Sequence, residues 1–221
     1  MGSLIQARAQ GVLSILIDHA ALDGAGRGIF FQAAEKISDR EVNMMARFGR
    51  GIVGAALTAQ RAFALGLKPM GNAGSGSRVL PFVASVEAVA CTETGISAAE
   101  RALTLRTLAR DGASPLDLVS PGHIIPSIVP HEERTEGSLE ALAYHHAARF
   151  NGAHAIAWCD ILNAEGDVGD AAHCTALAAG LELPLLIRRG ASAVEATALA
   201  QSGKLKNLDV RVGGLDLGQF A

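Results

Sequence analysis

Thr94-Gly95-Ile96-Ser97-Ala98-Ala99-Glu100-Arg101 is the stretch that decides the fold. Ser97 followed at the third position by Glu100 is a capping-box pattern, in which a hydroxyl and a carboxylate satisfy free N–H groups at a helix start. The helix it opens runs to about Arg110, with Leu103, Leu105 and Leu108 apolar and Arg101, Arg106 and Arg110 polar. Upstream, Val79 to Val89 reads as a long strand; downstream, Ser120-Pro121-Gly122 leads into His123-Ile124-Ile125-Pro126, a short extended piece bounded by proline.

The same alternation continues in both directions. Toward the N-terminus, Leu4 to Gln10 is a helical lead-in, Val12 to Ile17 a β-rich apolar run and Ile29 to Ala33 a second strand beyond a polar, glycine-punctuated loop. Ser38-Asp39-Arg40-Glu41 is another capping box, opening a helix to about Phe48 whose Met44, Met45 and Phe48 read as core. Gly51 to Leu57 is a strand and Ala59 to Leu65 a short helix. Toward the C-terminus, Ser138 caps a helix over Leu139 to Phe150, Ala153 to Leu162 is a strand, and a helix over Asp170 to Gly180 precedes a strand at Leu183 to Ile187. Ser192-Ala193-Val194-Glu195 reads as one more capped helix. Alternating strands and helices without an internal repeat predict an α+β or α-β sandwich in one domain over residues 1–221, with a C-terminal extension from about 189.

Composition narrows the function classes. The 221 residues carry 19 Lys+Arg against 22 Asp+Glu, a net charge of -3, which gives no electrostatic footprint for nucleic acid. With 7 Phe, 1 Trp and 1 Tyr beside 25 Gly, the core is built mainly from Ala, Leu, Val and Ile. No run reaches the roughly 18 apolar residues of a membrane span, and no cleavage-like pattern marks the N-terminus. Cys91, Cys159 and Cys174 form no CxxC pair and read as reduced thiols of a cytoplasmic protein.

Most chemistry-bearing residue types have a plain reading. Gly71 to Ser77 is glycine-rich, yet it leads into a strand with no following Lys, so it reads as a flexible loop and not a phosphate cradle. His145, His146, His154, Cys159, His173 and Cys174 are crowded together without HExxH or CxxC spacing, which points to surface histidines and buried thiols and not to zinc. No GxSxG elbow is present. Pro121-Gly122-His123 is more informative, because proline and glycine hold a His in a non-helical segment at a strand start. Asp160, at the end of the Ala153 to Leu162 strand, supplies a carboxylate to meet that His for acid–base work.

Taken in order, the pieces resemble 3,4-dihydroxy-2-butanone 4-phosphate synthase, the riboflavin-pathway family that converts ribulose 5-phosphate to a four-carbon phosphate and formate. The resemblance covers roughly Ala7 to Leu186. It rests on Ala33 to Lys36, Val42 to Gly51, Thr94 to Arg101, Pro121-Gly122-His123, Gly137 to Ala141 and Cys159 to Asn163. It implies an α-β sandwich and a homodimer with active sites at the subunit interface.

The resemblance also implies a magnesium pair, held by an acidic loop and by the His of a Gly-His-Thr-Glu motif. Aligned back from Glu35, the loop's Arg-Glu falls on Gly24 and Ala25, its later Glu on Arg27 and its catalytic Asp on Ile29. The motif's His is Ser138, its Thr is Leu139, and the strand-end Glu is Asp160. Magnesium wants several oxygen ligands near octahedral geometry, so no metal-ligand set is expected here. Glu35, Thr94, His123, Glu140 and Asp160 remain at matching positions.

The reading expected from these residues is a metal-independent enolisation, isomerisation or C–C cleavage of a carbonyl or sugar-phosphate substrate. His123, Asp160 and Glu140 are the candidate catalytic residues; Thr94, Arg27, Arg134 and Ser138 are the candidate substrate-binding ones. Two alternatives stand beside it: a non-catalytic paralogue that binds a ligand or partner subunit, and a working synthase with rearranged metal ligands.

Overall fold

The structure is a computed structural model that describes residues 11–70, 81–130 and 138–189, together with the backbone of short strands at 193–197, 211–212 and 215–216. The expected lead-in helix at 4–10, the glycine-rich loop at 71–77 and Arg134 lie outside the described residues.

In chain order the elements are β1 (Ser14–Asp18), β2 (Arg27–Ala33), α1 (Asp39–Met44), β3 (Arg50–Thr58), α2 (Ala59–Ala64), β4 (Val86–Ala88), α3 (Ala98–Ala109), β5 (Leu118–Val129), α4 (Leu139–Asn151), β6 (Ala155–Ile161), α5 (Ala171–Gly180), β7 (Leu185–Arg189) and β8 (Ala193–Thr197). The strands form one mixed sheet in the order β4-β5-β3-β6-β2-β1-β7-β8. The β3/β5 and β1/β7 pairs are parallel and the rest antiparallel.

Helices cover both faces, which is why the inner strands are apolar at most positions. Gly28 to Ala33 in β2 is buried at every position. One face, with Ile15, Phe30, Val53, Ala55, Cys159 and Ile161, packs against Val42 of α1, Leu105 and Leu108 of α3 and Leu177 of α5. The other, with Leu16, Ile29, Phe31, Ile156 and Trp158, packs against Leu142 and Ala143 of α4. This is the expected α+β sandwich, with α4 alone on its face among the described helices.

The caps follow the sequence. The Ser38 N–H donates to the Glu41 carboxylate at 2.8 Å, and Thr58, Ser138 and Asp170 cap α2, α4 and α5 through their side chains. Ser97 caps α3 by accepting from the Glu100 N–H at 3.2 Å. The Glu100 carboxylate, however, turns to the preceding loop.

Three expectations are corrected. Within the described part of the expected Val79 to Val89 strand, from Pro81 on, only Val86–Ala88 is regular, with isolated bridges at Phe82 and Val83; Pro81 lacks the N–H a ladder needs. The His123 to Pro126 piece belongs to the 12-residue β5, in which the Pro126 carbonyl still accepts, from the Val83 N–H at 2.9 Å. The capped helix expected at Ser192 is instead β8 from Ala193, antiparallel to β7: the open edge of β7 offers a ladder that overrides local capping preference. Among the described residues no helix is long and apolar enough to cross a membrane.

Candidate active site

Strand alternation sends Arg27 to the same face as Ile29 and Phe31, and Asp160 to the same face as Ile156 and Trp158. Ile29 and Asp160 are register partners in β2 and β6, so Arg27 and Asp160 meet where β2 begins and β6 ends. The N-terminus of α4 lies over them. There Ser138 accepts from the Ala141 N–H at 3.1 Å and donates its hydroxyl to Glu140 Oε2 at 2.7 Å.

Arg27 joins the carboxylates. Its Nη2 donates to Glu140 Oε1 at 3.3 Å, and its Nη1 stands 3.6 Å from Asp160 Oδ1. Burial pushes the Asp160 carboxyl above the ordinary range; the Arg27 charge opposes that shift and the Glu140 charge adds to it.

His123 lies across the sheet. It stands two residues before Ile125, the β5 partner of Gly54 in β3, while Trp158 of β6 is the partner of Gly54 on the other side. His123 and Asp160 are therefore separated by β3, two strand spacings of about 4.8 Å each. The expected meeting of the two does not occur. The carboxylate beside His123 is Glu87 of β4, with Oε2 3.1 Å from Nδ1. Sequence reasoning misses Glu87, because its proximity to His123 arises from cross-strand pairing and leaves no mark in residue spacing.

The ground between the two clusters is apolar. Ile52 of β3 is 62% exposed, and the Trp158 indole lies over Gly54, where an added Cβ would meet the ring at 2.9 Å. Among the described residues the buried Trp158 Nε1 has no hydrogen-bond partner.

Thr94 is exposed on the loop before α3, on the His123 side. Its neighbour Gly95 lies directly against Glu87, and a Cβ there would stand 3.2 Å from His123 Nδ1. Arg27, Ser138, Glu140 and Asp160 thus form one cluster, and Thr94, Glu87 and His123 border another. Glu35 belongs to neither: at the far end of β2 it accepts from the His154 N–H at 2.6 Å.

Solved structures share this fold. The 3,4-dihydroxy-2-butanone 4-phosphate synthase of Candida albicans superposes with a TM-score of 0.72 at 26% identity, over 84% of this chain and 91% of that one. RibBX, a two-domain synthase from A. baumannii, gives 0.73 at 27%, over 83% of this chain and 54% of its own. Among curated proteins, the riboflavin biosynthesis protein RibBA of Aquifex aeolicus is 34% identical over 71% of this chain, which spans only 39% of it. The synthase of Shewanella oneidensis is 29% identical over 82% of this chain and 83% of its own.

A further solved synthase, with a TM-score of 0.68, 27% identity and 84% of this chain covered, is in complex with two magnesium ions. Among the described residues, the donors at the α4 terminus do not fit such a pair. The two carboxylates at the α4 terminus already face the Arg27 guanidinium, which repels a cation. Ile29 and Leu139, beside them in the chain, are buried in the apolar cluster under α4 and offer no oxygen ligand from their side chains. The model of the 3,4-dihydroxy-2-butanone 4-phosphate synthase family matches residues 3–189, and the chain belongs to that family.

Proposed function

We propose that this chain is a divergent member of its family that has replaced magnesium-dependent chemistry with a metal-independent acid–base reaction. The observation that carries the reading is the Arg27 guanidinium between Glu140 and Asp160. A fixed cation there balances the two carboxylates without a metal and offers positive charge to an oxygen that becomes anionic during reaction.

The substrate is a carbonyl compound or sugar phosphate. His123 takes the proton from the carbon next to the carbonyl; the C–H electron pair forms the C=C bond, and the carbonyl oxygen becomes the enolate oxygen. For an α-hydroxycarbonyl substrate, the α-hydroxyl gives its proton to the enolate oxygen, and the proton held by His123 returns to the former carbonyl carbon as the α-oxygen becomes the new carbonyl, which completes an isomerisation. Asp160 and Glu140 complete the catalytic set by holding Arg27 in place and exchanging protons with substrate hydroxyls, and Thr94, Ser138 and Arg134 bind the substrate. The reading includes a cytoplasmic homodimer of one domain per chain, with residues from about 189 as an extension.

A second reading, a paralogue that binds a ligand or partner subunit without turnover, is favoured by Ile29 and Leu139, which fill space with methyl groups beside the polar cluster. The deciding experiment measures formate release from ribulose 5-phosphate with and without Mg²⁺, beside a genuine synthase, followed by turnover of small carbonyl compounds. The expected result is no Mg²⁺-dependent formate and a turnover that His123→Ala abolishes with the fold intact. Formate release that requires Mg²⁺ would establish a working synthase with rearranged ligands.

A further inference from the structure

We infer that Glu87 is the positioning residue of His123. Its carboxylate accepts the Nδ1–H, which leaves Nε2 as the basic nitrogen. The inference rests on the acid–base reading of His123 and adds the group that sets its tautomer.

The geometry is built from three sides. Nδ1 and Oε2 are 3.1 Å apart, with the Glu87 side chain only 20% exposed and that of His123 40% exposed, so the carboxylate is the more enclosed member of the pair. On the strand side, Gly122 brings β5 against β4 so closely that any Cβ at 122 would run into the backbone of Val86 and Glu87. That approach is pinned by Ser85, whose Oγ accepts from the Gly122 N–H at 3.2 Å and whose carbonyl accepts from the Ser120 hydroxyl at 2.8 Å. The Pro-Gly-His segment is thus shaped to bring its histidine to Glu87.

The third side is the loop before α3. Gly95, at φ 75°, occupies a backbone region that disfavours side chains, and a Cβ on it would collide with the Glu87 carboxylate. Glu100 holds this loop by accepting from the N–H groups of Thr92, Glu93 and Gly95 at 3.0, 2.8 and 2.8 Å. A buried carboxylate on α3 therefore fixes a glycine, the glycine confines Glu87, and Glu87 orients the imidazole. A histidine ring nitrogen that donates to a carboxylate leaves the other free to act as base, and this choice is set by the partner.

The test is the ring ¹⁵N spectrum of labelled protein at a pH where His123 is neutral, assigned by its loss in His123→Ala. The wild type is expected in the Nδ1–H form. Glu87→Leu should convert it to the Nε2–H form that free imidazole favours, with far-ultraviolet dichroism unchanged. Gly95→Ala, which leaves Glu87 present but displaced, should do the same and serves if the leucine variant does not fold. A wild type in the Nε2–H form, or an Nδ1–H form that survives both substitutions, overturns the role of Glu87. Loss of turnover in His123→Ala alongside either of those results would leave the acid–base reading standing. An Nδ1–H wild type whose turnover survives His123→Ala would remove that reading and leave the tautomer assignment.

Discussion

Arg27 and Glu140 are 113 positions apart in the chain and 3.3 Å apart in the fold, joined across the α4-covered face of the sheet. With Asp160 on the other arm of the guanidinium, one cation serves two half-buried carboxylates. Glu140 also accepts from the Ser138 hydroxyl at 2.7 Å, whereas Asp160 has Arg27 as its ion-pair partner.

Arg27→Ala is therefore expected to destabilise the protein by about 1–3 kcal/mol, the usual cost of leaving buried polar partners unsatisfied. The loss should be pH-dependent. Asp160 already lies above the ordinary carboxyl range through burial, and removing Arg27 takes away the charge that opposes the shift. A raised carboxyl binds more protons folded than unfolded, so its penalty is absent below the unfolded value and grows as pH rises through the folded one. Urea unfolding at pH 5 and pH 8 should show the larger loss at pH 8; an equal loss at both would mean that Asp160 does not depend on Arg27.

Gly54→Ala tests the apolar floor. An added Cβ meets the Trp158 ring at 2.9 Å, and overpacking of this kind costs about 1–3 kcal/mol. Because the chain holds 1 Trp, its emission reports the displaced indole directly. A wild-type midpoint and an unchanged spectrum would show that the ring does not rest on β3.

Glu100 should make the protein acid-sensitive. Its carboxyl lies below the ordinary value of 4.5, first through the Glu93 N–H, with Gly95, Thr92 and Ser97 adding and burial opposing. A lowered carboxyl contributes stability that is complete above the unfolded value and lost as pH falls through the folded one. Stability measured from pH 6 down to pH 3 should fall more steeply in the wild type than in Glu100→Ala, which is already weakened at pH 6. Parallel curves would assign the acid loss to other carboxylates.

The thiols should divide by access. Burial pushes the Cys159 and Cys174 thiols up to about 12, with Asp160 and Asp170 respectively adding to the shift. Only Cys91 is partly exposed. An aromatic disulfide reagent at pH 8 is expected to modify Cys91 in the native protein and the other two only on unfolding. Release of three equivalents before unfolding would place the buried pair nearer the surface.

What the sequence alone determined is local or periodic. Ser38, Ser97 and Ser138 mark helix starts because a cap is a contact between residues two or three apart, and the buried β2 run is legible because a strand covered on both faces is apolar at most positions. The resemblance that sets Arg27 and Ile29 at carboxylate positions, Ser138 at the imidazole position and Leu139 at a threonine position is also read from the chain, since it rests on residue type at aligned positions. Tertiary structure decided the rest. The edge of β7 made Ala193–Thr197 a strand against its capping pattern. Likewise, β3 lies between His123 and Asp160, so each takes a different partner, Glu87 and Arg27. Those pairings depend on strand order and register, and both are fixed by hydrogen bonds between segments far apart in the chain.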